Sequence, residues 1–228
     1  MSTDMSTVST DKIDLYESFD TLLSPVEIFR NNIFQELKPK ETKETKDPKE
    51  SGHLSLLIGC MFAQKTTELL RRIRRYQSIG YSVLIVNYIG DTRYGSSCII
   101  THDKDSENAV CVDKLQEIDT LVRSHKYSVV AIDEGQFFTD LFEYVTSWVD
   151  NYNIHVVVAG LDGTSDRKPF GMLQLIPHAE EVERLHAFCA ICRDGTFATF
   201  SKCVSSKNTD ILIGGSESYY PVCRKHYL

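Results

Sequence analysis

Leu54-Ser55-Leu56-Leu57-Ile58-Gly59-Cys60-Met61-Phe62-Ala63-Gln64-Lys65-Thr66 is the stretch on which the reading of this chain turns. Residues 54–58 are an almost unbroken apolar run, as expected of a strand buried on both faces. Residues 59–66 follow at once with the spacing of a phosphate-binding loop, Gly-x4-Gly-Lys-Thr, except that Gln64 stands at the second glycine. In such a loop successive backbone N–H groups point inward at the phosphates. Lys65 reaches the terminal phosphates as a point charge, Thr66 ligates magnesium, and the helix N-terminus adds the positive end of its dipole. Gln64 puts a side chain where glycine normally permits an unusual backbone angle, so the turn is expected to be strained or reshaped. The competing explanation is an ordinary strand-to-helix turn that matches by chance.

Downstream, residues 65–79 read as a helix with Leu69, Leu70, Ile73 and Tyr76 on one face and Arg71, Arg72, Arg74 and Arg75 projecting largely elsewhere. The arginines are read as a charged solvent face rather than a phosphate contact. Further apolar runs at 83–86, 129–132 and 155–159 alternate with helix-like or loop segments. The expected fold is α/β: a mostly parallel sheet of the P-loop NTPase kind with helices on both faces.

The run 129–132 ends in Asp133-Glu134-Gly135-Gln136-Phe137-Phe138, placing two carboxylates at the carboxyl edge of the sheet, where ligands bind in such folds. Asp133 is expected to hold magnesium opposite Thr66. Glu134 beside it is expected to accept a proton from an attacking substrate hydroxyl. The alternative is that both acids cap the following helix. Loop and acids together point to transfer of phosphate from ATP to a small substrate.

Seven cysteines are present. Cys189-Ala190-Ile191-Cys192 and Cys223-Arg224-Lys225-His226 form two short-spaced pairs, and four soft or borderline donors close a tetrahedron around zinc with no position left for substrate. The site is expected to be structural and to tie down the segment 214–221. Cys60, Cys98, Cys111 and Cys203 show no comparable pairing and read as ordinary thiols, Cys203 being the one substitute ligand to consider.

The expected organisation is an extension and linker over 1–52, an α/β phosphate-transfer domain over 53–184 and a small zinc-bearing lasso subdomain over 185–228. Within the first, residues 15–37 suggest one or two short amphipathic helices broken at Pro25, and 38–52 is a charged low-complexity run. A chain of 228 residues, 42% hydrophobic and 25% charged, can bury a substantial core. A net charge of -7 argues against an electrostatic grip on nucleic acid. Neither a membrane span nor a secretory signal is evident, so the expected location is the cytoplasm.

These features, in this order, resemble the zinc-containing thymidine kinases of animals, poxviruses and many bacteria. The resemblance covers most of 54–227. It also rests on Thr67-Glu68-Leu69-Leu70-Arg71-Arg72, Asp91-Thr92-Arg93-Tyr94, Thr101-His102-Asp103, Leu161-Asp162-Gly163-Thr164, Arg167-Lys168-Pro169-Phe170-Gly171 and Ile213-Gly214-Gly215. It implies ATP-dependent phosphorylation of the 5′-hydroxyl of thymidine or deoxyuridine, with Glu134 as base and a homotetrameric assembly. Gly59, Met61, Phe62, Ala63, Gln64, Lys65, Thr66, Thr67, Asp133 and Gln136 would lie at the nucleotide and magnesium, with Asp91 and Arg93 on a mobile lid. Met61, Phe137, Leu161, Phe170, Thr199 and Tyr219 would enclose the base, although each also suits a plain core position.

Besides Gln64, two positions depart from the family pattern: Ser165, where an aromatic residue is usual, and Ser201, where a basic one is. The competing functional readings are a catalytically weakened relative that binds nucleotide and acts through a partner, and a zinc-ribbon adaptor, which the acidic balance disfavours.

Overall fold

The computed structural model describes residues 51–90, 98–100, 106–204 and 218–228. The amphipathic stretch at 15–37, most of the linker, Asp91 and Arg93, the string at 101–103 and that at 213–215 lie outside the described residues. In chain order the elements are β1 (His53–Gly59), α1 (Lys65–Ser78), β2 (Val83–Tyr88), β3 (Cys98–Ile100), β4 (Ser106–Asn108), β5 (Val110–Val112), α2 (Asp119–Arg123), β6 (Val129–Ile132), α3 (Leu141–Tyr152), β7 (His155–Leu161) and β8 (Glu181–Leu185). A C-terminal lobe follows: β9 (Ala187–Phe188), β10 (Phe197–Ala198), β11 (Phe200–Cys203), β12 (Tyr219–Val222) and α4 (Arg224–Tyr227).

Six strands form one sheet in the order β5-β2-β6-β7-β1-β8, and every pairing in it is parallel. The four central strands are those expected from the apolar runs. Their side chains are buried on both faces, Leu54, Leu56 and Ile58 on one and Leu57 on the other. On the second face α1 lays Leu69, Leu70 and Ile73 over Leu57, Ile85, Ala131, Val157 and Ala159. The helix ends at Ser78, and Gly80 just beyond it, with a φ of +90° that suits a residue without Cβ, donates its N–H back to the Gln77 carbonyl at 3.0 Å. On the first face α3 presents Leu141, Val145, Trp148 and Val149, a helical spacing of apolar residues. Trp148 is fully buried and contributes about 2–3 kcal/mol by leaving water, and its indole N–H donates to Asp119 Oδ1 at 2.8 Å.

The two edge strands, β5 and β8, carry too little apolar periodicity to be read from the sequence. Leaving aside its terminal residues, β8 reads Val182-Glu183-Arg184 and pairs in parallel with β1 as an exposed, charged edge, a composition that discourages pairing with other chains. Its acids also correct the reading of Arg72. Arg72 is not on a solvent face: its side chain is 11% exposed, and it binds Glu68 at 3.1 Å, Glu181 at 2.7 Å and Glu183 at 2.6 Å. It therefore bolts α1 to the sheet edge, whereas Arg71, 60% exposed, pairs only locally with Glu68. No helix among the described residues is long and apolar enough to cross a membrane.

Replacing Arg72 with Met keeps the aliphatic stem and removes the ionic bolt. Because Glu181 and Glu183 stay half exposed and are screened by water, the expected loss is about 1–2 kcal/mol, roughly 2–8 °C in melting temperature. An unchanged melting temperature in a calorimetric scan means that the bolt adds nothing over its solvated alternative.

Candidate active site

The loop after β1 has the backbone that the sequence demanded of it. Gly59 has φ +151°, and a Cβ there would lie 2.3 Å from the Leu185 carbonyl oxygen, so only glycine fits. Phe62 and Gln64 are left-handed, at φ 64° and 59°. Gln64 accepts this conformation with its side chain exposed, and its carbonyl already takes the first helical bond, from the Glu68 N–H at 3.0 Å. The cost of a left-handed non-glycine residue is about 1–2 kcal/mol. Packing from outside the loop offsets it. Met61 N–H donates to Ser201 Oγ at 2.9 Å, and the Cys60 thiol to the Ala198 carbonyl at 3.4 Å. Cys60 and Ala63 share an apolar cluster with Ala187, Cys189, Ala198, Val222 and Cys223. Ser201, where a basic residue is usual, is thus buried and serves as the acceptor that holds Met61.

Charge gathers at the carboxyl ends of β1, β6 and β7. Lys65 Nζ donates to the Cys60 carbonyl at 2.8 Å. Burial pushes the Lys65 ammonium below its ordinary pKa, and Glu134, Cys60, Asp133 and Asp162 oppose that shift. Thr66 Oγ1 donates to Asp133 Oδ2 at 2.8 Å. Asp133 is 5% exposed; burial first, then the charge of Glu134, push it up to about 7, against hydrogen bonds from Thr66 and from the Glu134 N–H. Glu134 is itself left-handed, φ 52° and ψ 39°, and opens a 3₁₀ turn over Gly135–Phe137. Gly135 permits that turn, since a Cβ there would meet Val158 Cγ1 at 2.5 Å.

Two oxygen donors, Thr66 and Asp133, therefore converge on one point, and hard oxygen ligands suit magnesium. A second cation would also relieve the buried Asp133. Glu134 stands beside them, with its carboxylate taking the Gln136 Nε2–H at 2.5 Å, while Gln136 Oε1 accepts the Leu161 N–H at 2.9 Å. Asp162 extends the acidic patch and is paired with Arg184 at 2.8 Å. The string containing Asp162 was visible in the sequence, but nothing there assigned it a charge role beside Lys65.

The residues expected around a base come from several elements. Met61 lies in the loop, Phe137 in the 3₁₀ turn with its ring 5.3 Å from that of Tyr88, and Leu161 at the end of β7. Phe170 is packed against the core and its N–H faces the Asp162 carbonyl at 3.4 Å. Thr199 joins β10 to β11 and donates its N–H to Val222, and Tyr219 opens β12. Around Ser165, residues 163–169 form a tight hairpin, closed by the Gly163–Pro169 bridge. The Ser165 carbonyl accepts the Tyr227 hydroxyl at 2.6 Å, and the Arg167 guanidinium lies 4.5 Å from the Tyr227 ring centroid. The C-terminal lobe thus grips this hairpin as well as the phosphate loop.

In that lobe Cys189 and Cys192 flank a turn after β9, while Cys223 and His226 sit at the start and within α4. Their donor atoms all lie within 4.8 Å of one another. Cys192 Sγ is 3.8 Å from Cys223 Sγ and 3.3 Å from His226 Nδ1, and Cys223 Sγ is 3.4 Å from His226 Nδ1. Tetrahedral ligands at about 2.3 Å for sulfur and about 2.0 Å for nitrogen span just such separations. Burial raises the Cys189 thiol, yet backbone N–H groups of Cys192, Cys223 and Ile191 outweigh it and bring it down to about 6. Burial and the neighbouring sulfurs push Cys192 up to about 11. A thiol drawn toward its thiolate at Cys189, with Cys192, Cys223 and His226 within reach of it, is a donor set compatible with a metal. Among the described residues Cys60, Cys111 and Cys203 stand outside it.

Comparison with known proteins gives one family throughout. The family model described as thymidine kinase matches residues 52–227. The thymidine kinase of Yaba monkey tumor virus is 44% identical over 178 residues, 78% of this chain and 95% of its own length. Those of raccoon poxvirus and vaccinia virus (strain Western Reserve) are also 44% identical over 178 residues, 97% of their own lengths.

At Gln64, glycine relieves about 1 kcal/mol of backbone strain but adds about 0.5–1 kcal/mol of unfolded-chain entropy. Gln64→Gly is expected to change the unfolding free energy by less than about 1 kcal/mol. Gln64→Val, β-branched and ill-suited to positive φ, is expected to lose about 1–2 kcal/mol more. Urea unfolding of the two variants reads the difference, and equal midpoints mean the turn is not strained.

Proposed function

Because the chain belongs to the thymidine kinase family, we propose that it transfers the terminal phosphate of ATP to the 5′-hydroxyl of thymidine or deoxyuridine, giving the monophosphate and ADP for salvage of DNA precursors. The observation that carries this reading is the convergence of Lys65, the Thr66–Asp133 pair and Glu134 at one sheet edge.

In this reading the backbone of residues 59–67 and the Lys65 ammonium cradle the phosphates, while Thr66 and Asp133 hold magnesium. Magnesium, when bound, neutralises charge on the transferring phosphoryl group. Glu134 takes the proton of the 5′-hydroxyl as its oxygen bonds to the terminal phosphorus and the bond from that phosphorus to the ADP oxygen breaks. Lys65 offsets the charge that builds on the leaving ADP. Met61, Phe137, Leu161, Phe170, Thr199 and Tyr219 enclose the base, and Asp91 and Arg93 belong to the lid. Cys189, Cys192, Cys223 and His226 bind a structural zinc, which crosslinks the lobe 185–228 and so supports the domain 53–184 through Ser201 and Tyr227. Family likeness supports a cytoplasmic homotetramer, the assembly being open to light scattering.

Glu134→Gln is expected to lower kcat for thymidine phosphorylation by about 10²–10⁴-fold, with KM values for thymidine and ATP nearly unchanged. Retained turnover rejects Glu134 as the base. Cys192→Ser is expected to lose the bound zinc, measured by atomic absorption, and to lower the melting temperature together with affinity for ATP. Full metal content in that variant rejects the ligand set.

A further inference from the structure

Resemblance puts Gln136 at the nucleotide, yet its side-chain amide is spent inside the protein. Nε2 donates to Glu134 Oε2 at 2.5 Å and Oε1 accepts the Leu161 N–H at 2.9 Å. The orientation of the amide is unambiguous: a backbone N–H can only donate, so the oxygen must face Leu161, which turns the NH₂ toward the carboxylate. Space for this bridge is reserved by Gly160, where a Cβ would lie 2.6 Å from Gln136 Oε1 and 2.5 Å from Met172 Sδ. The bridge spans the ends of β6 and β7, joining a residue expected at the base to the residue expected to take the proton.

We propose that Gln136 is a positioning residue: it clamps one oxygen of the Glu134 carboxylate to the β7 backbone, so that the other oxygen is presented to the substrate hydroxyl. This rests on the reading of Glu134 as the base. A carboxylate on a left-handed residue at a turn has free side-chain torsions to fix, and general-base catalysis depends on holding the acceptor within hydrogen-bond reach of the proton. The hydrogen bond from Gln136 restrains those torsions at one oxygen. Tying the donor to Leu161 anchors the clamp in the β7 backbone, whose position the buried sheet fixes.

The test is a cycle of Gln136→Met, Glu134→Gln and the double variant, assayed by steady-state phosphorylation of thymidine with magnesium and ATP. Gln136→Met keeps the length of the side chain and removes both hydrogen bonds. The expected result is a fall in kcat of about 10- to 100-fold with less than about twofold change in either KM. In the Glu134→Gln background the same change is expected to cost less than about twofold, because there is no base left to aim. Gln136→Asn, which keeps an uncharged amide but falls one methylene short of Glu134, guards against a folding artefact: it is expected to lower kcat at a melting temperature close to that of wild type. Additive losses in the double variant, or a raised KM for ATP with unchanged kcat in Gln136→Met, overturn the proposal and return Gln136 to the nucleotide. Wild-type turnover in Glu134→Gln alone overturns the base reading, a failure distinct from either of these.

Discussion

The Lys65 ammonium sits where burial disfavours its charge, and the groups that offset that cost organise the rest of the site. Glu134, Asp133 and Asp162 supply negative charge, and the Cys60 carbonyl supplies a direct acceptor at 2.8 Å. Asp133 in turn is buried beside Glu134: it is driven up to about 7 by burial and by the Glu134 charge. Asp162 is paired with Arg184, so among the described residues Lys65 faces Asp133 and Glu134 together, which leaves this edge short of positive charge where burial makes each unit of charge weigh heavily. A magnesium-bound polyphosphate alters that balance on both sides, adding cation next to the acids and anion next to the lysine.

Such a site needs a frame that does not yield, and two quite different parts of the chain supply it. The parallel sheet, buried on both faces, fixes where β1, β6 and β7 end. The small C-terminal lobe lacks a large core; its cluster consists chiefly of Ala, Cys and Val side chains and borrows Cys60 and Ala63 from the phosphate loop. A tetrahedral crosslink is the economical way to make so small an element rigid. Once rigid, it holds the phosphate loop through Ser201 and the hairpin at 163–169 through Tyr227. The Cys/His cluster is distant in sequence from the sheet edge, yet the loop at 59–66 leans on the lobe that carries it.

Backbone strain is placed where these parts meet. Phe62, Gln64 and Glu134 are all left-handed, and all belong to turns that follow a sheet strand at its carboxyl end. Each costs on the order of 1 kcal/mol or more and persists only because surrounding contacts over-determine it. For Gln64 the compensation is the packing of its loop against Ser201 and Ala198 together with the helix it starts; for Glu134 it is the close approach permitted by Gly135 and the clasp of Gln136.

The amino-acid sequence alone was sufficient for the four central strands, α1, the phosphate loop, the acid pair and the four-member Cys/His set. Those signals are local: apolar periodicity within one element, glycine and lysine at fixed offsets, ligands three residues apart. It also marked Gln64 as needing an unusual backbone, because a glycine-like position constrains φ whatever surrounds it. Edge strands β5 and β8 escaped, β5 because three residues, Val110-Cys111-Val112, are too few to show a period, and β8 because an exposed, charged strand has no pattern distinct from a loop. Arg72 looked like one more surface arginine and became a buried bolt only when Glu181 and Glu183 arrived from 109 and 111 residues away. Tertiary structure likewise decided that Ser201 holds Met61 across 140 residues, that Tyr227 holds Ser165 across 62 and that Gln136 faces Leu161 across 25. A hydrogen bond between distant residues depends on where the fold brings two polar atoms, and neither atom carries that information in its own neighbourhood.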